Sequence, residues 1–144
     1  MRPLIDAHLD LAWSGMYFNR DLLQPIARIR ECEAGMTDEL SRGLNTVSFP
    51  ELRNANIPIC IATLMARSGP DKLPYTPPKR VDLDYAEQRI AYAHAQGQLA
   101  YYRLLEREGH LRILKSRSDL ATHWDAWQKN SAKFSPRISL RTRV

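Results

Sequence analysis

Apolar and polar residues alternate with period two at the start of the chain. Ile5, Ala7, Leu9 and Leu11 fall on one side and Asp6, His8 and Asp10 on the other, which predicts a half-buried strand over residues 4–13. Residues 57–64 are a run of apolar and β-branched residues, rich in isoleucine. That is the pattern of a strand covered on both faces of a parallel sheet, and Pro58 is tolerable near its start. Residues 111–114 make a third strand candidate. Between the strands the spacing turns helical. Pro50 suits the first turn of a short helix over residues 49–56 that carries Leu52 inward. The clearest helix spans residues 82–109, with Leu83, Ala86, Ile90, Ala93, Gly97, Tyr101, Leu104 and Leu105 on one face. Asp84 with Glu87 reads as its capping box and Gly109 as its stop. Ser116, followed by Asp119, opens a last helix through Leu120, Trp124 and Trp127. Residues 14–30 read as irregular to helical. Asn19 is a candidate cap for a short helix through Leu22, Leu23, Ile26 and Ile29, and Pro25 restricts where it begins. Residues 32–45 are polar and punctuated by Gly35 and Gly43. Residues 68–80 hold Gly69, Pro70, Pro74, Pro77 and Pro78 and form a loop, where Tyr75 is either a substrate contact or a residue lying on its own surface.

Strands separated by helices imply βαβ units and a parallel sheet, hence an α/β fold. No Gly-rich phosphate loop follows any strand, so nucleotide binding has no support. Ser14 and Ser48 lack the glycines of a nucleophile elbow. A net charge of +5 invites a nucleic-acid reading, but the charge is unevenly placed. Lys129, Lys133, Arg137, Arg141 and Arg143 lie in residues 128–144 with no acidic residue among them, which leaves the first 127 residues balanced. No basic face interleaved with aromatics remains, and nucleic acid is not an expected partner. No window approaches 18 consecutive apolar residues, and Asp6, His8 and Asp10 interrupt the place of a signal-peptide core. Cys32 and Cys60 belong to no CxxC or zinc-knuckle spacing, and Cys60 reads as a small buried hydrophobe. A cytoplasmic protein with no membrane partner is the expectation.

His8 and Asp10 are the candidate chemistry. Same-face side chains two apart on a strand sit about 7 Å apart, close enough for both to reach one cation. A strand face that is merely polar is the alternative. His94, beside the long helical stripe, and His110 and His123 have no partner at ligand spacing and read as structural or exposed.

Asp6-Ala7-His8-Leu9-Asp10-Leu11 within the first dozen residues, followed by Trp13, resembles the opening of the membrane (renal) dipeptidase family, zinc peptidases of the amidohydrolase-like (β/α)8 barrel type. The match is specific over residues 4–13 and looser, as an order of elements, to about residue 128. The resemblance implies that His8 and Asp10 are ligands to one of two zinc ions, with Asp6 supporting the site from behind. It implies hydrolysis of dipeptides by a metal-activated water. It also implies the N-terminal part of a (β/α)8 barrel, about three parallel strands with flanking helices, since 144 residues fall short of the roughly 250 of a closed barrel. The family's bridging glutamate and two later histidines are missing. Where that glutamate belongs, residues 131–144 contain neither a glutamate nor a histidine. That composition reads as a truncation or an out-of-frame segment, with a genuine basic tail as the alternative.

The expected organisation is a partial metallopeptidase domain at residues 1–128 and a basic, disordered tail at 129–144, inactive alone and able to self-associate through an open sheet edge. A small non-catalytic α/β interaction domain with a basic tail is the competing reading. If the tail is unstructured, deleting residues 131–144 leaves the circular dichroism and melting curve of the body nearly unchanged; a large loss of helicity on deletion would show that it packs.

Overall fold

β1 (Ile5–Leu9) and β2 (Ile59–Ala62) lie side by side in parallel in the computed structural model, which describes residues 2–68 and 83–130. Between them run three short helices, α1 (Leu11–Tyr17), α2 (Ile26–Cys32) and α3 (Phe49–Asn54). β3 (Arg67–Ser68) and β4 (Asp84–Tyr85) form a second, minimal parallel pair, followed by α4 (Gln88–Arg107) and α5 (Arg117–Asn130). The described part of the molecule is thus mixed α/β, with five helices and short parallel strands in two small sheets. Tyr75, most of the proline-rich loop and the tail at residues 131–144 lie outside the described residues.

Several elements depart from the sequence pattern, each for a local reason. The first strand ends at Leu9 rather than near residue 13, because Leu11 and Ala12 are buried consecutively on a helix instead of alternating. Its predicted apolar side is covered only towards its end: Ile5 is 61% exposed and Ala7 is exposed, whereas Leu9 packs against the core. Asn19 caps no helix. It takes a left-handed conformation (φ 52°) and closes α1, with the Arg20 N–H donating to the Gly15 carbonyl at 2.9 Å. The next helix waits until after Pro25, whose ring disfavours helical backbone at the preceding residue. Phe49 and Leu52 are buried on α3, and Pro50 occupies its first turn as expected.

The third strand, over residues 111–114, does not form; Arg112 makes a single bridge only. The Ile113 N–H donates to the Glu106 carboxylate at 2.7 Å, so a side chain takes a donor that a neighbouring strand would have used. Leu111 and Leu114 are buried all the same. The expected capping pair of the long helix is also replaced. Asp84 is in β4, ion-paired to Arg67 at 2.9 Å, and α4 starts after Glu87, whose side chain makes no cap. The helix does stop at Gly109, where φ is 81°. The Gly109 N–H donates to the Glu106 carbonyl and the His110 N–H to the Leu105 carbonyl, the paired bonds of a Schellman motif. α5 opens on the expected box. The Asp119 N–H donates to Ser116 Oγ and the Ser116 N–H to Asp119 Oδ2, each at 3.0 Å.

The buried stripe of α4 runs through Ala91, Gln98, Tyr102 and Leu105, about one residue round the helix from the predicted one, leaving Ile90 and Leu104 in solvent. Two polar side chains draw it there. Gln98 accepts from the Met65 N–H and donates to the Met65 carbonyl, both at 2.7 Å, and Tyr102 is wholly buried among Leu11, Leu22, Phe49, Cys60 and Leu111. α4 comes close to α1 because position 15 is glycine: a Cβ there would stand 3.0 Å from the Tyr101 hydroxyl.

Candidate metal centre

β1 carries a bulge just before its end. Asp6 pairs with Cys60 and Leu9 with Ala62, so β1 uses three residue steps where β2 uses two. A regular ladder would set His8 opposite Ala62; the extra residue puts Leu9 there and breaks the simple alternation of the sequence. The His8 N–H turns instead to the Asp6 carboxylate, donating to Oδ1 at 2.9 Å. Asp6 therefore supports His8 through its backbone and not through its ring.

The bulge still brings the two candidate ligands together. His8 Nε2 lies 3.4 Å from Asp10 Oδ1, with the imidazole open to solvent and the carboxylate half-buried. Asp10 is the residue before α1 and its carbonyl accepts the first helical bond, from the Ser14 N–H at 2.9 Å. An aspartate in that position ordinarily turns its side chain back onto a free N–H of its own helix. Asp10 makes no such bond. The Ala12 N–H is met by the Tyr102 hydroxyl at 2.9 Å, which in turn donates to the Thr63 carbonyl at 3.2 Å. Burial raises the Tyr102 phenol well above its ordinary value, so it stays protonated and able to donate.

Thr63 follows β2 as Asp10 follows β1. Its N–H donates to the Leu9 carbonyl at 2.9 Å, and its hydroxyl reaches the Asp10 carboxylate, with the Leu9 carbonyl farther away at 3.4 Å. Neither Thr63 nor Tyr102 stands out in the sequence pattern. Thr63 is the one hydroxyl in an apolar run, and Tyr102 adjoins a residue that the helical stripe already uses.

The other histidines are elsewhere. The His94 ring stacks on Tyr85, with centroids 4.2 Å apart. His110 lies 3.8 Å from Glu108 at the end of α4. His123 is buried, with Nε2 at 3.0 Å from the Pro58 carbonyl, where it ties α5 to the start of β2. Among the described residues no group of three or more His, Cys, Asp or Glu side chains converges on a point. Cys60 is fully buried, which raises its thiol far above the ordinary value, and Cys32 is exposed; both are free thiols.

A second polar cluster, which the sequence pattern did not reveal, organises the loop after α2. Glu33 accepts from Arg20 Nε at 2.7 Å and Nη2 at 3.0 Å, from Arg42 Nη1 at 2.9 Å and from the Gly43 N–H at 2.8 Å. The Phe18 ring lies against both guanidinium groups, 4.3 Å from the Arg20 carbon and 5.5 Å from that of Arg42. Burial alone would raise the Glu33 carboxyl; the donated hydrogen bonds and the Arg20 charge outweigh it and hold the group at about 2. A cavity of about 110 Å³ lies between this cluster and Ile29, Cys32 and Met36. It shares no residue with the His8–Asp10 pair, and the acceptors and donors of Glu33 and Arg42 that line it are already engaged with one another.

Comparison with family models, curated proteins and solved structures finds no match to the chain.

Proposed function

We propose that this chain carries the first-strand portion of a zinc dipeptidase site of the membrane dipeptidase type, built on the opening strands of a (β/α)8 barrel. The observation that carries the reading is the 3.4 Å separation of His8 Nε2 and Asp10 Oδ1 at the C-terminal end of a parallel strand. Two ligand atoms about 2.1 Å from one tetrahedral zinc stand about 3.4 Å apart, so the pair is spaced to share an ion without rearrangement. Barrel enzymes place their chemistry at that end of the strands.

Zinc in such a site lowers the pKa of a bound water, supplying hydroxide at neutral pH. This chain's own residues would do three things. His8 offers an accessible ring nitrogen, Asp10 a carboxylate whose other contacts are already made, and Asp6 holds the His8 backbone in the bulge. A catalytic zinc site normally uses three protein ligands, and the complete family site holds two ions; among the described residues only His8 and Asp10 of such a set come together. On this reading the chain alone is not an active enzyme. A cytoplasmic setting belongs to the same proposal, supported by two free thiols; among the described residues no helix is long and apolar enough to cross a membrane.

Titration with zinc, or with cobalt followed by its visible absorption, tests the reading. One weak site lost in both His8→Ala and Asp10→Ala, and kept in His94→Ala, is the expected result. Binding indifferent to His8 and Asp10 would remove the proposal.

A non-catalytic interaction domain is the second reading, favoured by exposed Leu4 and Ile5 beside a strand that has one neighbour among the described residues. Both readings predict self-association or chaperone binding, since an open parallel edge with exposed apolar side chains is adhesive. Analytical ultracentrifugation checks this; a monodisperse monomer that melts sharply well above 60 °C would contradict it.

A further inference from the structure

We infer that Thr63 and Tyr102 are positioning residues for a cation held by His8 and Asp10: Tyr102 relieves Asp10 of capping α1, and Thr63 turns the released carboxylate toward His8. The inference rests on the zinc reading above and extends it to residues that the His-x-Asp motif does not contain.

Asp10 has two competing uses. Standing before α1, it is next to the free N–H groups of the first helical turn, the usual partners of an aspartate in that place. A carboxylate spent on that bond is a weaker and wrongly aimed ligand. Two contacts from distant parts of the chain settle the competition. The Tyr102 hydroxyl accepts from the Ala12 N–H at 2.9 Å, so that donor of the first turn is met without Asp10. The Thr63 hydroxyl then donates to Asp10 Oδ1, the same oxygen that faces His8 Nε2. Tyr102 also donates to the Thr63 carbonyl, so the two residues brace each other. The Tyr102 bonds join α4 to α1 and to the end of β2, and the Thr63 bond joins the ends of β1 and β2. The arrangement is that of a ligating carboxylate oriented by a hydrogen bond from a neighbouring hydroxyl, a support commonly worth about 10–100-fold in metal affinity.

Zinc and cobalt titrations of the full chain and its variants test the inference. Thr63→Val is expected to weaken zinc binding about 10–100-fold with an unchanged far-ultraviolet circular dichroism spectrum. Thr63→Ser, which keeps the hydroxyl, should bind zinc as the unaltered chain does and restore the cobalt absorption band that Thr63→Val shifts or loses. Tyr102→Phe should weaken zinc binding in the same direction. Should that variant unfold through loss of its buried hydrogen bonds, the Thr63→Val and Thr63→Ser pair decides alone. Normal zinc affinity in Thr63→Val, with binding lost in His8→Ala, would overturn the positioning role and leave the zinc site standing. Equal loss in Thr63→Val and Thr63→Ser would reduce Thr63 to a packing residue and also overturn it. Absence of zinc binding by the unaltered chain would overturn both proposals.

Discussion

Glu33→Gln is expected to cost about 3–5 kcal/mol of folding stability at neutral pH, because it breaks a buried ionic cluster from its centre. Glu33 is 4% exposed and receives hydrogen bonds from Arg20, Arg42 and the Gly43 backbone. An amide of the same shape replaces one accepting oxygen with a donor that faces other donors. It also leaves the guanidinium of Arg20, itself almost fully buried, without its countercharge. In a domain of this size the loss corresponds to about 10–17 °C in melting temperature. Asp38→Asn should do far less, because the Asp38 carboxylate that pairs with Arg42 is mostly in solvent.

The same Glu33 carboxylate sets an acid limb. Burial pushes it upward, but Arg20, Gly43 and Arg42 together prevail and hold it at about 2 in the folded protein, below the ordinary 4.5. A depressed carboxyl binds its proton more readily when unfolded. Its contribution is therefore complete above about 4.5 and is lost as the pH falls from there through about 2. Melting temperature followed from neutral pH to about pH 2.5 should fall in the unaltered chain and flatten in Glu33→Gln. Parallel curves for the two proteins would show that the Glu33 carboxyl is not held down in the folded protein.

No dipeptide hydrolysis is expected from the chain alone, with or without added zinc, and the reason is ligand number. His8 and Asp10 are two, and the other histidines are committed elsewhere: His94 against Tyr85, His123 against Pro58, and His110 at the far end of α4. Zinc on two ligands binds weakly and exchanges readily, and its water is not tuned by a second ion. Co-expression with, or fusion to, a polypeptide carrying the later strands of such a dipeptidase should restore hydrolysis. In that context His8→Ala or Asp10→Ala should abolish turnover, and His94→Ala should leave it intact. Zinc-dependent turnover by the isolated chain that survives His8→Ala would refute the family reading outright.

The sequence by itself determined the features whose partners are near in the chain. The Ser116–Asp119 box, the Gly109 stop, Pro50 in the first turn of α3 and the closeness of His8 to Asp10 all join atoms within a few residues. Burial of Cys60 was equally legible, because a continuous apolar run has no face to leave in water. Tertiary structure decided the rest. Tyr102 reaches Ala12 across 90 positions, Thr63 reaches Asp10 across 53, and Gln98 reaches Met65 across 33. Those polar bonds rotated the buried stripe of α4 away from its apolar pattern. A buried hydrogen bond needs its partner in space and not in sequence, and apolar periodicity records neither the donor nor the acceptor. For the same reason the Glu106 carboxylate could take the Ile113 N–H and undo a strand that its own residues predicted, and Glu33 could turn a polar loop into a buried ionic cluster.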